Sequence, residues 1–550
     1  MTRFCRHRTG PRRSVALAAA VLVLAGACGG SDEGAVPSSS APGADVGCAT
    51  TIDAATFPSA DELRALAVEW NAFGLRSPAS EAHEAALDWL GDELAAVPGV
   101  QVEWDEYVID RWQPTPEAPG DVPGRDLARA GGLVVDGVEL EVAGAVPFTE
   151  PTDAAGVTGP LVHLPPGEEI TAADAAGRIV VREIEPSSIP FAGFDAIGHH
   201  LTDDVPTEGD YDRPYLRPLD DALTEAGLAG AAGLVLVWDA PTDQVRGYWD
   251  PHTGTRFAVP AVYVGDDDLD ALLAAADAAA PASLVVDAAW DEAPTRNLIA
   301  TLPGRTRERI VVNTNTDSVT WVQENGPVAA LALVRHLAEL PLECRARDVQ
   351  LALTTNHLGF TADGTFRYGP ELDADYDEGT VAFVMALEHL GTREVLPGPD
   401  GRLALTGQGE VLAWSAPEES PVLVQASIEA VERRDLDRTA VLPGVGVPTD
   451  GQVPSVCSQG GLGTNFHGLL IPTIAGITGP WSLWAPSFGE EALDFERMRD
   501  QLLAFGDVAR QLDDVPRDEI AGGYPAARQA RATGTPTCDL TPPPAVAPTR

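Results

Sequence analysis

Residues 311–325 read VVNTNTDSVTWVQEN, and they constrain the fold more than any other stretch of this chain. An apolar β-type run, RIVV, ends in a dense polar cluster, and a helix-type stretch, PVAALALVRHLAEL, follows at once. The order recurs downstream. VQLALTTNH, TVAFVMALEHLG and IPTIAGITG are apolar runs that end in polar or Gly-rich residues, with helical periodicity between runs, as in VLVQASIEAVERR. This alternation predicts an α/β domain, a mixed central sheet with helices on both faces. Functional side chains in such sheets gather beyond the carboxyl ends of the strands, which is where the polar clusters fall.

Bulk properties bound the rest. A chain of 550 residues with 44% hydrophobic residues has material for two folded units plus tails. Its net charge is −47, and every basic residue is arginine. Phosphates and acidic headgroups are repelled by such a surface, so nucleic acid is excluded as a partner. A salt-adapted, soluble surface accounts for the acidity without an acid-specific function.

The first residues, MTRFCRHRTGPRR, are basic, and the apolar run SVALAAAVLVLAGA is too short to span a bilayer as a mature helix. The run ends in Leu24-Ala25-Gly26-Ala27-Cys28, which resembles a bacterial lipoprotein signal. That resemblance implies cleavage before Cys28, lipidation of its thiol, and an extracytoplasmic protein anchored to the cell membrane. Residues 28–48 are Ser/Gly/Pro-rich and read as a flexible tether. Residues 516–550 read as a Pro-rich C-terminal tail. With Cys5 removed and Cys28 acylated, Cys48, Cys344, Cys457 and Cys538 remain, an even number in an oxidising compartment. Three pairings are open. Cys48 and Cys538 flank the folded region, which favours pairing them and leaves Cys344 with Cys457.

Apolar residues at three-and-four spacing on either side of Gly74-Leu75-Arg76-Ser77 predict two helices within 57–95, and VQVEWDEYVID (100–110) alternates as a strand. His83-Glu84 begins like an HExxH zinc motif, but Leu87 stands where the second His must be, so His83 reads as a helix-surface residue. Between 126 and 290 the chain is β-rich: VTGPLVHLPPG, AAGRIVVREI, AGLAGAAGLVLVWDAP and VPAVYVGDDDLDALLAAA. Asp266-Asp267-Asp268 fails the spacing of a calcium loop and reads as acidic capping of a helix N-terminus, and His199-His200 reads as part of a polar loop.

The order TRNLIATLPG (295–304), then VVNTNTDS, then a helix resembles the M28 family of zinc aminopeptidases, and the β-rich segment resembles the protease-associated (PA) domain inserted in many of them. The resemblance implies a zinc-exopeptidase-like mixed sheet, assembled from 49–125 and 291–515 around a PA-like insert at 126–290, behind a signal peptide at 1–27. It also implies a site. In the family a strand ends in His-x-Asp-Ser, and a bridging Asp, a Glu-Glu pair, an Asp and a final His follow. Two zinc ions held there polarise a carbonyl and generate hydroxide, with a Glu as general base. Here Asp317 and Ser318 match, but Asn315 takes the place of the first His. Gln323 stands at the bridging position, with Glu324 one residue on. Asn356 and His357 stand for the Glu pair, Glu388 for the Asp with His389 beside it, and Trp484 for the last His.

The resemblance thus leaves Glu324, His357 and Glu388 as the metal-ligand candidates, and Asn315, Asp317, Gln323, Asn356, His389 and Trp484 as pocket residues. It implies loss of ordinary two-zinc aminopeptidase chemistry. No cofactor is expected, and zinc is the one that remains possible. Peptides or protein termini are the expected ligands. Two alternatives stand beside this reading: a divergent metal-dependent hydrolase using Glu324, His357 and Glu388, and a purely structural envelope lipoprotein. No G-x-S-x-G elbow and no phosphate-cradling Gly-rich loop offers a different chemistry.

Overall fold

The structure is a computed structural model, and it describes residues 47–115, 125–186, 188–212, 219–249, 255–359, 364–444 and 458–535. Cys28, Cys457 and Cys538 lie outside the described residues. Among the described residues no helix is long and apolar enough to cross a membrane.

A nine-stranded mixed sheet carries the fold. Its spatial order is Gln101–Pro114, Ala288–Leu302, Asp348–Thr354, Arg309–Asn315, Val381–Leu387, Thr473–Ile477, Leu412–Ser415, Thr439–Leu442 and His200–Leu201. The four strands in the middle run parallel, from Asp348–Thr354 across to Thr473–Ile477. The first two form a long antiparallel pair that frames one side. The expected α/β architecture is therefore present, and strand alternation explains its two layers. Ile310 and Val312 face a core shared with the helices Gly326–Glu339, Pro421–Arg433 and Phe495–Leu512, whereas Val311 faces Tyr368, Leu372 and Tyr376 of the helix Thr365–Asp377.

The N-terminal segment folds as two helices, Ala60–Asn71 and Glu81–Ala95. Ser59 and Glu62 close a capping box on the first, which fixes its start. His83 is not on a helix surface. It is fully buried, and its Nε2 lies 3.0 Å from Thr316 Oγ1. The incomplete HExxH pattern left it without a partner in the sequence, but the neighbour it faces is the polar end of a central strand.

A second, eight-stranded sheet is formed by strands between Gly131 and Val286. Its core includes Val319, Val322 and Leu358, which belong to loops at the end of the first sheet. His199 and His200 are not in a free polar loop. His200 pairs with Val441, so this segment supplies an edge strand to the first sheet, and His199 Nε2 donates to Ala416 O at 3.2 Å. At the helix Leu269–Asp277, Asp267 accepts from Thr242 N at 2.6 Å, tying the acidic helix start to a neighbouring turn.

The disulfide differs from the expected pairing. Cys48 is bonded to Cys344, with Cα atoms 5.3 Å apart. Arg510 explains why these two meet: one guanidinium nitrogen donates to Cys344 O at 2.7 Å and another to Ala49 O at 2.9 Å, so both strands of chain are held on the same side chain. The C-terminal stretch also holds more structure than a Pro-rich tail. Residues 517–521 and 524–532 are helical, and Tyr524 is fully buried.

Candidate functional site

The carboxyl ends of the parallel strands converge, and the segments that leave them carry the polar residues singled out above. Gly326 brings two of these ends together. A Cβ there would sit 2.0 Å from Thr314 Oγ1 and 2.3 Å from Leu387 O, so only glycine lets the helix Gly326–Glu339 start against both strands. That contact sets Glu324 between them. Glu324, Asn356 and His389 each follow a different strand, and each has a left-handed backbone, with φ of 53°, 78° and 54°. Side-chain-bearing residues avoid this region, and where it is enforced it clusters at functional sites.

Glu324 is fully buried. Its Oε2 accepts from Asn315 N at 3.3 Å and from Thr314 Oγ1 at 3.4 Å, while Oε1 has no hydrogen-bond donor. His357 Nε2 lies 3.4 Å from that Oε1. Burial pushes the Glu324 carboxyl well above the ordinary range, and the carboxylates of Glu388 and Asp317 push it further. Glu388, also buried, is held by Leu462 N, which donates to Oε1 at 2.6 Å. Burial lifts its pKa to about 8.

His389 Nδ1 lies 2.8 Å from Thr478 O. A carbonyl only accepts, so Nδ1 carries the proton, and the neutral ring presents an unprotonated Nε2. Burial lowers the pKa of the ring to about 4 and keeps it neutral. Nε2 has no hydrogen-bond partner and lies 3.9 Å from Glu388 Oε2. Glu324, Glu388 and His389 each turn one ligand atom to a common point, the three atoms lying within 4.8 Å of one another. His357 stands beside Glu324, outside this group of three.

The other predicted residues are assigned elsewhere. Asp317 does not face an imidazole ligand. Its Oδ1 accepts from Asn356 N at 3.0 Å and its Oδ2 from Leu358 N at 2.5 Å, so it caps the turn that carries His357. Burial nevertheless raises its pKa, against the opposing pull of His83. Asn315 Oδ1 accepts from Thr354 Oγ1 at 2.8 Å. Gln323 Oε1 accepts from Val319 N at 3.1 Å. Trp484 is buried in the core of the second sheet, with Trp481 of the same turn edge-on to Trp238 and tilted against Tyr248. Arg76, buried over the Trp70 ring at 4.6 Å, has its pKa lowered to about 9 by burial, while Asp317 and Glu324 oppose that shift.

The donor set fits one cation. Two carboxylates and a neutral imidazole are ordinary ligands for zinc and its neighbours. His389 Nε2 is buried with no hydrogen bond, and Glu324 Oε1 is buried with only the His357 ring at 3.4 Å, an arrangement that is costly unless something else satisfies these atoms. A second ion is not provided for by Asn315, Gln323 or Trp484. Zinc is thus compatible with the site at one position. His389 was visible in the sequence only as a neighbour of Glu388; its backbone conformation, which brings it into the cluster, carried no sequence signal.

No protein-family model and no curated protein matches the chain. Solved structures do. The zinc aminopeptidase BSAP of Bacillus subtilis matches with a TM-score of 0.57 at 16% identity, over 84% of this chain and 98% of that one. A peptidase M28 precursor from Shewanella amazonensis matches with a TM-score of 0.55 at 14% identity, over 82% and 92%. An aminopeptidase of Aneurinibacillus sp. strain AM-1 gives a TM-score of 0.52 at 15% identity, over 82% and 93%. The chain has the fold of the M28 zinc aminopeptidases. At these identities the likeness is one of fold alone.

Proposed function

We propose that this chain is a lipid-anchored, extracytoplasmic M28-peptidase-like protein that binds peptides or protein termini and does not carry out two-zinc aminopeptidase chemistry. One observation carries the reading. Where the two-ion mechanism needs imidazoles and a general base, the chain places Asn315, Asn356 and Trp484, with the Asn315 oxygen committed to Thr354 and Trp484 buried in an aromatic core. An amide or an indole neither abstracts a proton nor ligates zinc well. Loss of such groups removes several powers of ten in rate. The β-rich segment at 126–290 is read as a PA-like insert, and Cys28 as the acylated mature N-terminus.

The test is an aminopeptidase assay on unmodified amino-terminal substrates, with added zinc and cobalt. The expected result is no turnover above buffer, unchanged in Glu388→Ala. Turnover that a chelator abolishes, and that Glu324→Ala or His357→Ala also removes, would overturn the reading. It would favour the divergent hydrolase, for which the 3.4 Å approach of His357 to Glu324 is the supporting geometry. Mass spectrometry of the native protein tests the anchor, since an unmodified N-terminus other than Cys28 refutes it.

A further inference from the structure

We propose that Glu324, Glu388 and His389 form a single divalent transition-metal site, in which His389, a residue outside the ligand pattern of the fold's zinc peptidases, supplies the imidazole. The inference stands apart from the proposed loss of peptidase activity, because ion binding and turnover are separate readouts.

Each of the three side chains is anchored through one polar atom and keeps another within reach of the other two. Glu324 Oε2 takes the Asn315 N–H, and Oε1 has no hydrogen bond, with His357 Nε2 at 3.4 Å as its polar neighbour. Glu388 Oε1 takes the Leu462 N–H, and Oε2 faces the imidazole. His389 donates Nδ1–H to the Thr478 carbonyl, the bond by which metal-ligating histidines are oriented and made more basic at the other nitrogen. The backbone behind the ring is equally fixed. Thr392 Oγ1 and Thr478 Oγ1 donate to His389 O at 2.6 and 3.2 Å, and the Asn325 amide grips both the N–H and the carbonyl of Leu390. These bonds hold His389 in its left-handed conformation, which residues with a side chain otherwise avoid.

An ion that displaces the carboxyl protons of Glu324 and Glu388 meets two carboxylates and one neutral ring, a sum of −2 that a divalent charge balances. The nitrogen donor and the small number of ligands suit zinc or cobalt better than calcium, which takes 6–8 oxygens. Ligand bonds of about 2.0–2.2 Å put donors roughly 3–4 Å apart, so closing the cluster on an ion takes about 1 Å of side-chain movement.

The experiment uses the full chain, stripped with chelator and titrated with zinc by calorimetry, with ions counted after gel filtration. One ion per chain is expected. His389→Ala and Glu388→Gln should each weaken binding by about tenfold or more, whereas His357→Ala should change it by less than about threefold. Because His389→Ala could disturb folding, the cobalt-loaded native chain gives an independent reading by proton NMR. It should show one exchangeable, strongly shifted N–H signal, from His389 Nδ1. No stoichiometric ion, two ions per chain, or a dependence on His357 in place of His389 would overturn the proposal.

Discussion

Nε2 of His389 lies 3.9 Å from Oε2 of Glu388, although the two residues are consecutive at the end of one strand. Successive side chains of a strand point to opposite faces. These two converge because His389 leaves the strand with φ of 54°, which turns its ring back over the carboxylate. The pair therefore acts as one unit, and the loops that hold it, from Asn325, Thr392 and Thr478, form part of the site even though none of them supplies a ligand atom.

Asp317 is predicted to be structural, and its two oxygens can be separated by substitution. Asp317→Ala leaves the buried N–H groups of Asn356 and Leu358 without acceptors. At about 1–3 kcal/mol for each unsatisfied group, the loss is about 2–6 kcal/mol. Asp317→Asn keeps one acceptor and should lose about half as much. Denaturant unfolding measures both, and equal losses would show that the hydrogen bonds do not set the role of this carboxylate.

Much of this arrangement could be read from the residues. The run RIVVNTN coincides with the strand Arg309–Asn315, and the polar ends of four apolar runs do meet at one edge of the sheet. Periodicity and strand-to-helix order are local properties, so they survive into the fold. What could not be read depended on contacts between distant segments. His83 is a lone histidine on a helix, yet it is buried against Thr316, 233 residues away. Cys48 meets Cys344 through a shared arginine, and no spacing of cysteines encodes that. His389 read as a pocket residue beside Glu388 and not as a ligand; its left-handed turn depends on Asn325 and Thr478, both remote in sequence.

Glu410 offers a pH test away from the cluster. It is buried, Val411 N donates to its Oε1 at 3.0 Å, and burial raises its pKa from 4.5 to about 7. The folded chain then binds more protons than the unfolded one between those two values. Stability is fullest below the unfolded pKa, falls as pH rises through the folded one, and levels off above it. A rise from 4.5 to about 7 corresponds to about 3 kcal/mol. Glu410→Gln keeps an acceptor for Val411 and cannot ionise. Between about pH 5 and pH 8 its melting temperature should therefore fall by less than that of the native chain. Parallel melting curves would refute the assignment.

Gly461 gives a probe of Glu388 that substitutes none of the proposed ligands. A Cβ at this position would lie 2.3 Å from Glu388 Oε1 and 2.7 Å from Ile477 Cδ1, closer than any real contact. Gly461→Ala must therefore push the carboxylate off the Leu462 N–H and away from His389. Overpacking of this kind costs about 1–3 kcal/mol. If Glu388 ligates an ion, zinc affinity should also fall by about tenfold, because the anchored oxygen is what aims the free one. Gly193 serves as the control: nothing lies within 4 Å of a Cβ there, so Gly193→Ala should leave both stability and zinc binding near native values. If Gly461→Ala lowers stability while zinc binding stays as in the native chain, Glu388 is not a ligand, and its burial beside His389 serves the fold alone.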